Sequence, residues 1–176
     1  KQQLCGDRWV NSKASKTDMF AGSPGSISQR ACTATFKSTR SLKRAVVSCL
    51  ELSAIGECAN YVHGPIGEWD VSSLTDMDKT FEDASSFNGD ISKWDVSSVT
   101  TMTNMFNGAT SFNGDISAWD VSKVTTMTSM FNGATSFDVD ISKWDVSKVI
   151  NMNYMFCQAT SFKRQLCQAP WVKSRA

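Results

Sequence analysis

Residues 91–115 read ISKWDVSSVTTMTNMFNGATSFNGD, and the next 25 residues, ISAWDVSKVTTMTSMFNGATSFDVD, repeat them with five changes. A further copy stands on each side without a gap, so 66–90, 91–115, 116–140 and 141–165 share one register. No other feature constrains the fold as much. A 25-residue unit with apolar residues at Ile91, Trp94, Val96, Val99, Met102, Phe106, Ala109 and Phe112 cannot enclose a core alone. It has to bury that set against the same set in its neighbours. The expectation is a repeat solenoid, leucine-rich-repeat-like, in which a motif found in every copy is architecture before it is chemistry.

Within one copy, Val99, Met102, Met105, Phe106 and Ala109 recur at intervals of three and four, which predicts a short helical or 3-10 segment with Asp95 or Ser97 as its cap. The stretch from Phe112 to Trp119, with Ile116 inside it, predicts a short strand, and Trp-Asp-Val-Ser the corner between the two. Such strands would stack in parallel at ~4.8 Å. Asn88-Gly89 and Asn113-Gly114 look like tight-turn signals, but the third copy has Asp138-Val139 there. A β-branched valine resists positive φ, so that corner is not expected to need it.

The array sets the domain plan. Residues 1–65 are expected to form a disulfide-stapled N-terminal cap with one amphipathic helix near 40–52, residues 66–165 the four-copy array, and residues 166–176 a C-terminal cap and tail. Residues 1–65 carry nine Lys and Arg against four Asp and Glu, a balance of +5, whereas 66–165 carry seven against thirteen, a balance of −6. An acidic array is a poor partner for a phosphate backbone, so nucleic acid is not expected. No apolar run approaches the 18 residues or more of a membrane span. Cysteines stand only toward the two ends: Cys5, Cys32, Cys49 and Cys58 in the head, Cys157 and Cys167 at the far end. That layout predicts staples and an extracellular, cell-surface or oxidising lumenal setting, a plastid lumen included, rather than the cytosol. There is no Cys-x-x-Cys, and His63 has no ligand partner near it in sequence, so zinc is not expected.

Asp70, Asp95, Asp120 and Asp145 hold one position in each copy, and Asp90, Asp115 and Asp140 another. Carboxylates ~5 Å apart at an effective dielectric near 20 repel by about 3 kcal/mol, so they have to be solvated, capped or metal-bound. An Asp followed two residues later by Ser is placed to accept backbone N–H groups at a turn. Calcium on Asp70, Asp95, Asp120 and Asp145 is the alternative. Glycoside hydrolysis needs two carboxylates in unlike environments, and a ladder repeats one environment, so no catalytic residue and no cofactor is expected. Met102, Met105, Met127 and Met130 fit as core filler, and Trp69, Trp94, Trp119 and Trp144 as a buried stack rather than a sugar platform.

The pattern Trp-Asp-Val-Ser-x-Val-Thr-x-Met-x-x-Met-Phe-x-x-Ala-x-x-Phe-Asn-x-Asp, with period 25 over 66–165, resembles the BspA-like leucine-rich-repeat surface protein family, first described from mycoplasma lipoproteins and abundant in microalgae. The preceding stretch resembles the helical cap of algal members, with Leu42, Ala45, Val46, Cys49 and Leu50 on one helix face. The resemblance implies a surface, adhesion or protein-binding role and transfers no catalytic residue. The fourth copy departs from the pattern at Ile150, Cys157-Gln158 and Lys163-Arg164-Gln165, as if the array stops there, with Cys157 placed to staple Cys167.

Three functions remain in view. The first is a non-enzymatic scaffold that binds another protein or mediates surface adhesion through positions that vary between copies: Glu68, Lys93 and Lys143 in one column, Lys123 and Lys148 in a second, Tyr154 in a third. The second is an accessory subunit held on a larger, possibly membrane-bound, assembly by the caps, with Trp9 and Trp171 as aromatic anchors. The third is carbohydrate or ice binding on a flat face, which Thr75, Thr100 and Thr125 favour and Ile150 interrupts.

Overall fold

The computed structural model describes residues 3–4, 13, 15–23, 26–27, 34–59, 61–167 and 171. In the head, β1 (Gln3–Leu4) pairs in parallel with β2 (Ser26–Ile27). The head also supplies α1 (Thr39–Leu52), started by Ser38, whose hydroxyl accepts from the Ser41 amide. Leu42, Ala45, Val46 and Cys49 form the buried stripe of α1, as their three-and-four spacing requires. This stripe joins Leu74, Met77 and Phe81 of the first coil in one core. Cys49 is bonded to Cys58, which ties the end of α1 to the loop that follows it.

Each 25-residue copy is one coil built from consecutive tight turns. In the second coil the turns are closed by Trp94 N to Ile91 O (3.1 Å), Val99 N to Val96 O (2.9 Å), Met105 N to Met102 O (3.2 Å), Ala109 N to Phe106 O (3.1 Å) and Phe112 N to Ala109 O (3.1 Å). The first and last residues of these five turns are apolar and buried, whereas the further turn closed by Asn107 N to Asn104 O (3.2 Å) is polar at both ends. Two of these turns in each coil carry a left-handed residue at their third position: Lys79, Asn104, Ser129 and Tyr154 in one (φ 57, 55, 53 and 58°), and Asp83, Gly108, Gly133 and Gln158, four residues on, in the next.

The amide groups that the turns leave over link the coils. Met102, Asn104, Phe106 and Gly108 donate to Thr126, Thr128, Met130 and Asn132 of the next coil at 2.8–3.1 Å, while the Thr100 amide reaches back to Thr75 O at 2.8 Å. Phe106 stacks on Phe81 and Phe131 at 5.3 and 5.6 Å, and on Phe112 of its own coil at 4.0 Å. The indole N–H groups run a third ladder: Trp94 to Ile66 O (2.9 Å), Trp119 to Ile91 O (3.2 Å) and Trp144 to Ile116 O (3.1 Å). A buried indole needs an acceptor, and each coil supplies one to the next.

The expected leucine-rich-repeat-like solenoid, with a short parallel strand and a helical segment in each coil, is not what forms. Among the described residues of 66–165 there is no strand and no sheet, only the isolated parallel bridges Thr35–Asp70, Asp76–Thr101, Thr101–Thr126 and Thr126–Asn151. Helical geometry there is limited to the single turn Ile66–Glu68, and α1 lies before the array. The reason is local. Spacing of three and four reads as helix, but in these coils it marks the first and last residues of successive four-residue turns, and the left-handed residues within two of those turns interrupt both helix and strand.

Candidate interaction surface

The aspartate ladders are turn caps. Asp95, Asp120 and Asp145 accept the amides of Ser97, Ser122 and Ser147, each at 3.0 Å. Asp70 accepts both the amide (3.1 Å) and the hydroxyl (2.6 Å) of Ser72, and its other oxygen accepts from Thr35 Oγ1 at 3.2 Å. Asp90, Asp115 and Asp140 treat Ser92, Ser117 and Ser142 in the same way, at 2.9–3.0 Å. The serine hydroxyl and amide hold the carboxyls of Asp70, Asp90, Asp115, Asp120 and Asp145 below the ordinary value of 3.8, and for Asp140 the amide is the larger influence. Among the described residues no cluster of three or more His, Cys, Asp or Glu is placed to hold a metal ion.

Other repeated polar groups are also consumed by the stack. Thr100 and Thr125 donate their hydroxyls to Thr75 O and Thr100 O at 3.0 Å, and Thr110 and Thr135 to Ser85 O and Thr110 O at 3.0 and 3.2 Å. Asn88 and Asn113 accept the Asn113 and Asp138 amides at 2.8 and 2.9 Å, and Asp138 accepts the Lys163 amide at 3.1 Å. This amide-type ladder at the coil corner was not anticipated. Its sequence signal is the Asn, Asn, Asp series at one position, which a turn explanation of Asn-Gly had hidden.

The positions that vary between coils face solvent. Lys93 meets Glu68 one coil back, Nζ to Oε1 at 2.8 Å, and that carboxylate raises the Lys93 pKa. Lys143 lies in the same column two coils further on and is exposed. Lys123 and Lys148, also exposed, both act on the Asp120 carboxyl, and Lys148 acts on Asp145 as well. They make a mixed-charge strip along the last two coils. Tyr154 is 71 % exposed at a left-handed position of the last coil. Trp171 is half-buried and donates Nε1 to Ile141 O at 3.3 Å, extending the indole ladder instead of standing free as an anchor. Trp9, Cys5 and Cys32 lie outside the described residues.

Cys157 and Cys167 are free, exposed thiols and do not staple the end. Cys157 takes the place of Asn132 in the turn corner, and Cys167 follows Leu166 as Ser142 follows Ile141, so the two occupy different corners of the coil. Near the other end, Phe36, Tyr61 and Trp69 surround His63 with ring centroids 5.1–6.1 Å away, and burial lowers its pKa. No helix among the described residues is long and apolar enough to cross a membrane.

A stack of similar coils, with its shared polar groups turned to internal bonding and its variable ones turned to solvent, defines a tandem-repeat protein. Residues 51–169, more than half of the chain, match the family described as Mycoplasma protein of unknown function, DUF285, and the chain belongs to that family. No curated protein and no solved structure matches the chain.

Proposed function

We propose that the chain is a non-enzymatic scaffold of a BspA-like surface-protein type, of microalgal kind, that mediates protein–protein interaction or surface adhesion. The observation that carries this reading is the division of labour among the polar residues. Those common to the coils cap turns or bond the next coil, and those that differ, Lys93, Lys123, Lys143, Lys148 and Tyr154, lie at the surface. A rigid stack with an adjustable surface suits recognition of another protein. The Cys49–Cys58 bond is compatible with an extracellular or oxidising lumenal setting. The test is the native size of the protein taken from its natural source, before and after crosslinking. A scaffold that binds reversibly migrates free and is captured with a partner only on crosslinking, and Lys123→Glu with Lys148→Glu weakens the capture. Permanent co-migration with one large assembly replaces this reading with that of a fixed accessory subunit.

A further inference from the structure

The helix α1 has a face that the core does not use. Opposite its buried stripe lie Arg40, Arg44, Val47 and Glu51, which recur at intervals of three and four and are all exposed, Val47 at 58 %. Lys43 flanks this line half-buried, and the exposed Lys37 stands about one turn before it. The cations crowd the unfavourable end. The start of a helix carries partial positive charge, yet the first turn of α1 holds Arg40 and no acid. Arg40 and Arg44, four residues apart, also repel each other.

Nothing in the head answers this charge. The ion pairs among the described residues are Lys79–Glu82, Lys93–Glu68 and Arg164–Asp138, and none involves α1. Residues 1–65 hold four Asp and Glu against nine Lys and Arg, so no placement of the head's own acids cancels the surplus. A local arrangement that costs stability without a compensating contact points to a contact made elsewhere.

The complement runs along the array. Asp70, Asp95, Asp120 and Asp145 place one carboxylate on each coil, and the amides of Ser72, Ser97, Ser122 and Ser147 fix its direction. Three residues further on stand Ser73, Ser98, Lys123 and Lys148, so the strip is anionic on the first two coils and mixed on the last two. The face of α1 runs through the same sequence in opposite charge: Arg40 and Arg44 first, Val47 next, Glu51 last.

The spacings agree as well. A helix advances about 5.4 Å per turn. Phe81, Phe106, Phe131 and Phe156, one from each coil, stack at 5.3, 5.6 and 5.8 Å. A helix laid along the strip therefore sets one turn against each coil. Arg44 at Asp95 puts Arg40 at Asp70 and Glu51, two turns on, at Lys148. Because the stripe of α1 packs into the core of its own first coil, the charged line turns away from its own array.

We propose that the charged face of α1 docks along the aspartate strip of a second copy of this chain, with Arg40 and Arg44 on Asp70 and Asp95 and with Glu51 on Lys148. The pairs are exposed and individually weak, so the association is reversible and sensitive to salt. This inference does not rest on the partner-binding reading above, because it is tested on the purified chain alone.

The test uses the full chain in a Cys157→Ser, Cys167→Ser background, so that assembly reports docking and not oxidation. Sedimentation over a concentration series is expected to show association in about 20 mM salt that weakens at least tenfold in about 500 mM salt. Arg40→Glu combined with Arg44→Glu should abolish it without lowering Tm, since acids suit the start of a helix. Arg44→Gln and Asp95→Asn, which keeps the capping oxygen, should each weaken association by about threefold, and the two together by no more than either alone. A chain that stays monomeric in low salt, whether or not phosphatidylserine vesicles retain it, overturns the proposal. So does association that survives the two Arg→Glu changes, or Arg44→Gln and Asp95→Asn effects that simply add. If the Arg→Glu variant does not fold, the neutral pair decides.

Discussion

Replacing Trp119 with phenylalanine separates a structural indole from a ligand-binding one. Trp119 is 5 % exposed, and its Nε1 donates across the coil boundary to Ile91 O at 3.2 Å. The same carbonyl also accepts the Trp94 amide at 3.1 Å, so the substitution leaves no orphaned acceptor and no desolvation penalty has to be added. What is lost is one net hydrogen bond, about 1 kcal/mol. The smaller ring leaves a void of roughly 40 Å³, which at ~24 cal/mol per Å³ costs about another 1 kcal/mol. Trp119→Phe should therefore destabilise by about 2 kcal/mol, and Trp119→Ala by about 3–5 kcal/mol. For a chain of this length the former lowers Tm by about 4–8 °C. Urea and thermal unfolding followed by circular dichroism measure both variants. A Trp119→Phe loss below about 0.5 kcal/mol, the range of an ordinary surface change, would refute the claim that the indole ladder holds neighbouring coils together.

The remaining predictions concern the caps and the staple. Asp120→Ala should cost about 0.5–1 kcal/mol, at the exposed end of the capping range, whereas Asp120→Asn keeps an acceptor oxygen and should cost clearly less. A calcium-dependent Tm shift in the parent protein that both variants abolish would show instead that the ladder is a cation site. The acid limb follows from depressed pKa values. Unfolded Asp70, Asp90, Asp115, Asp120, Asp140 and Asp145 bind protons near 3.8 more readily than the folded chain does. Their contribution is thus complete above that value and lost as pH falls through the lower folded values. His63, also lowered, adds a shallow decline that begins below 6.5 and that His63→Gln should remove. Thermal unfolding from pH 8 to pH 2 tests both limbs, and a Tm that rises below pH 4 contradicts the assignment. Cys49→Ser opens a loop with a sequence separation of 9, for which chain entropy predicts a loss of about 2.5 kcal/mol. Denaturant titration of that variant checks it, and an unchanged midpoint refutes it.

How much of this was legible depended on which interaction each residue reports. The inward-facing set, Ile91 through Phe112, could be read directly, because a repeat must bury what it repeats, and every one of those side chains is buried. The role of Asp95, Asp120 and Asp145 was legible for a similar reason, since Asp-x-Ser is a local motif and its bond spans two residues. The backbone path was not. Val99, Met102, Met105, Phe106 and Ala109 have helical spacing, yet the hydrogen bonds that decide the path join residues 24 or 25 apart, Met102 to Thr126 and Thr125 to Thr100. Periodicity within one coil carries no information about them. The left-handed positions were obscured too, because Lys79, Asn104, Ser129 and Tyr154 differ in every coil and only one of them is a residue type that favours positive φ.

That last mismatch bears on the surface. Variation between coils at Lys79, Asn104, Ser129 and Tyr154 looks like freedom at a solvent-facing site, but these residues all pay for the same strained backbone, and a strained conformation persists only where its surroundings over-determine it. The surroundings are the amides of those residues, which bond Thr103, Thr128 and Asn153 in the three coils that have a follower. Tyr154 has none among the described residues. Among the described residues of the array, the last coil carries the most exposed large apolar side chains, Ile150 at 68 % and Tyr154 at 71 %. Lys123, by contrast, sits beside a capped turn in a coil with a neighbour on each side, and a partner that binds there gains charge complementarity without having to complete the fold.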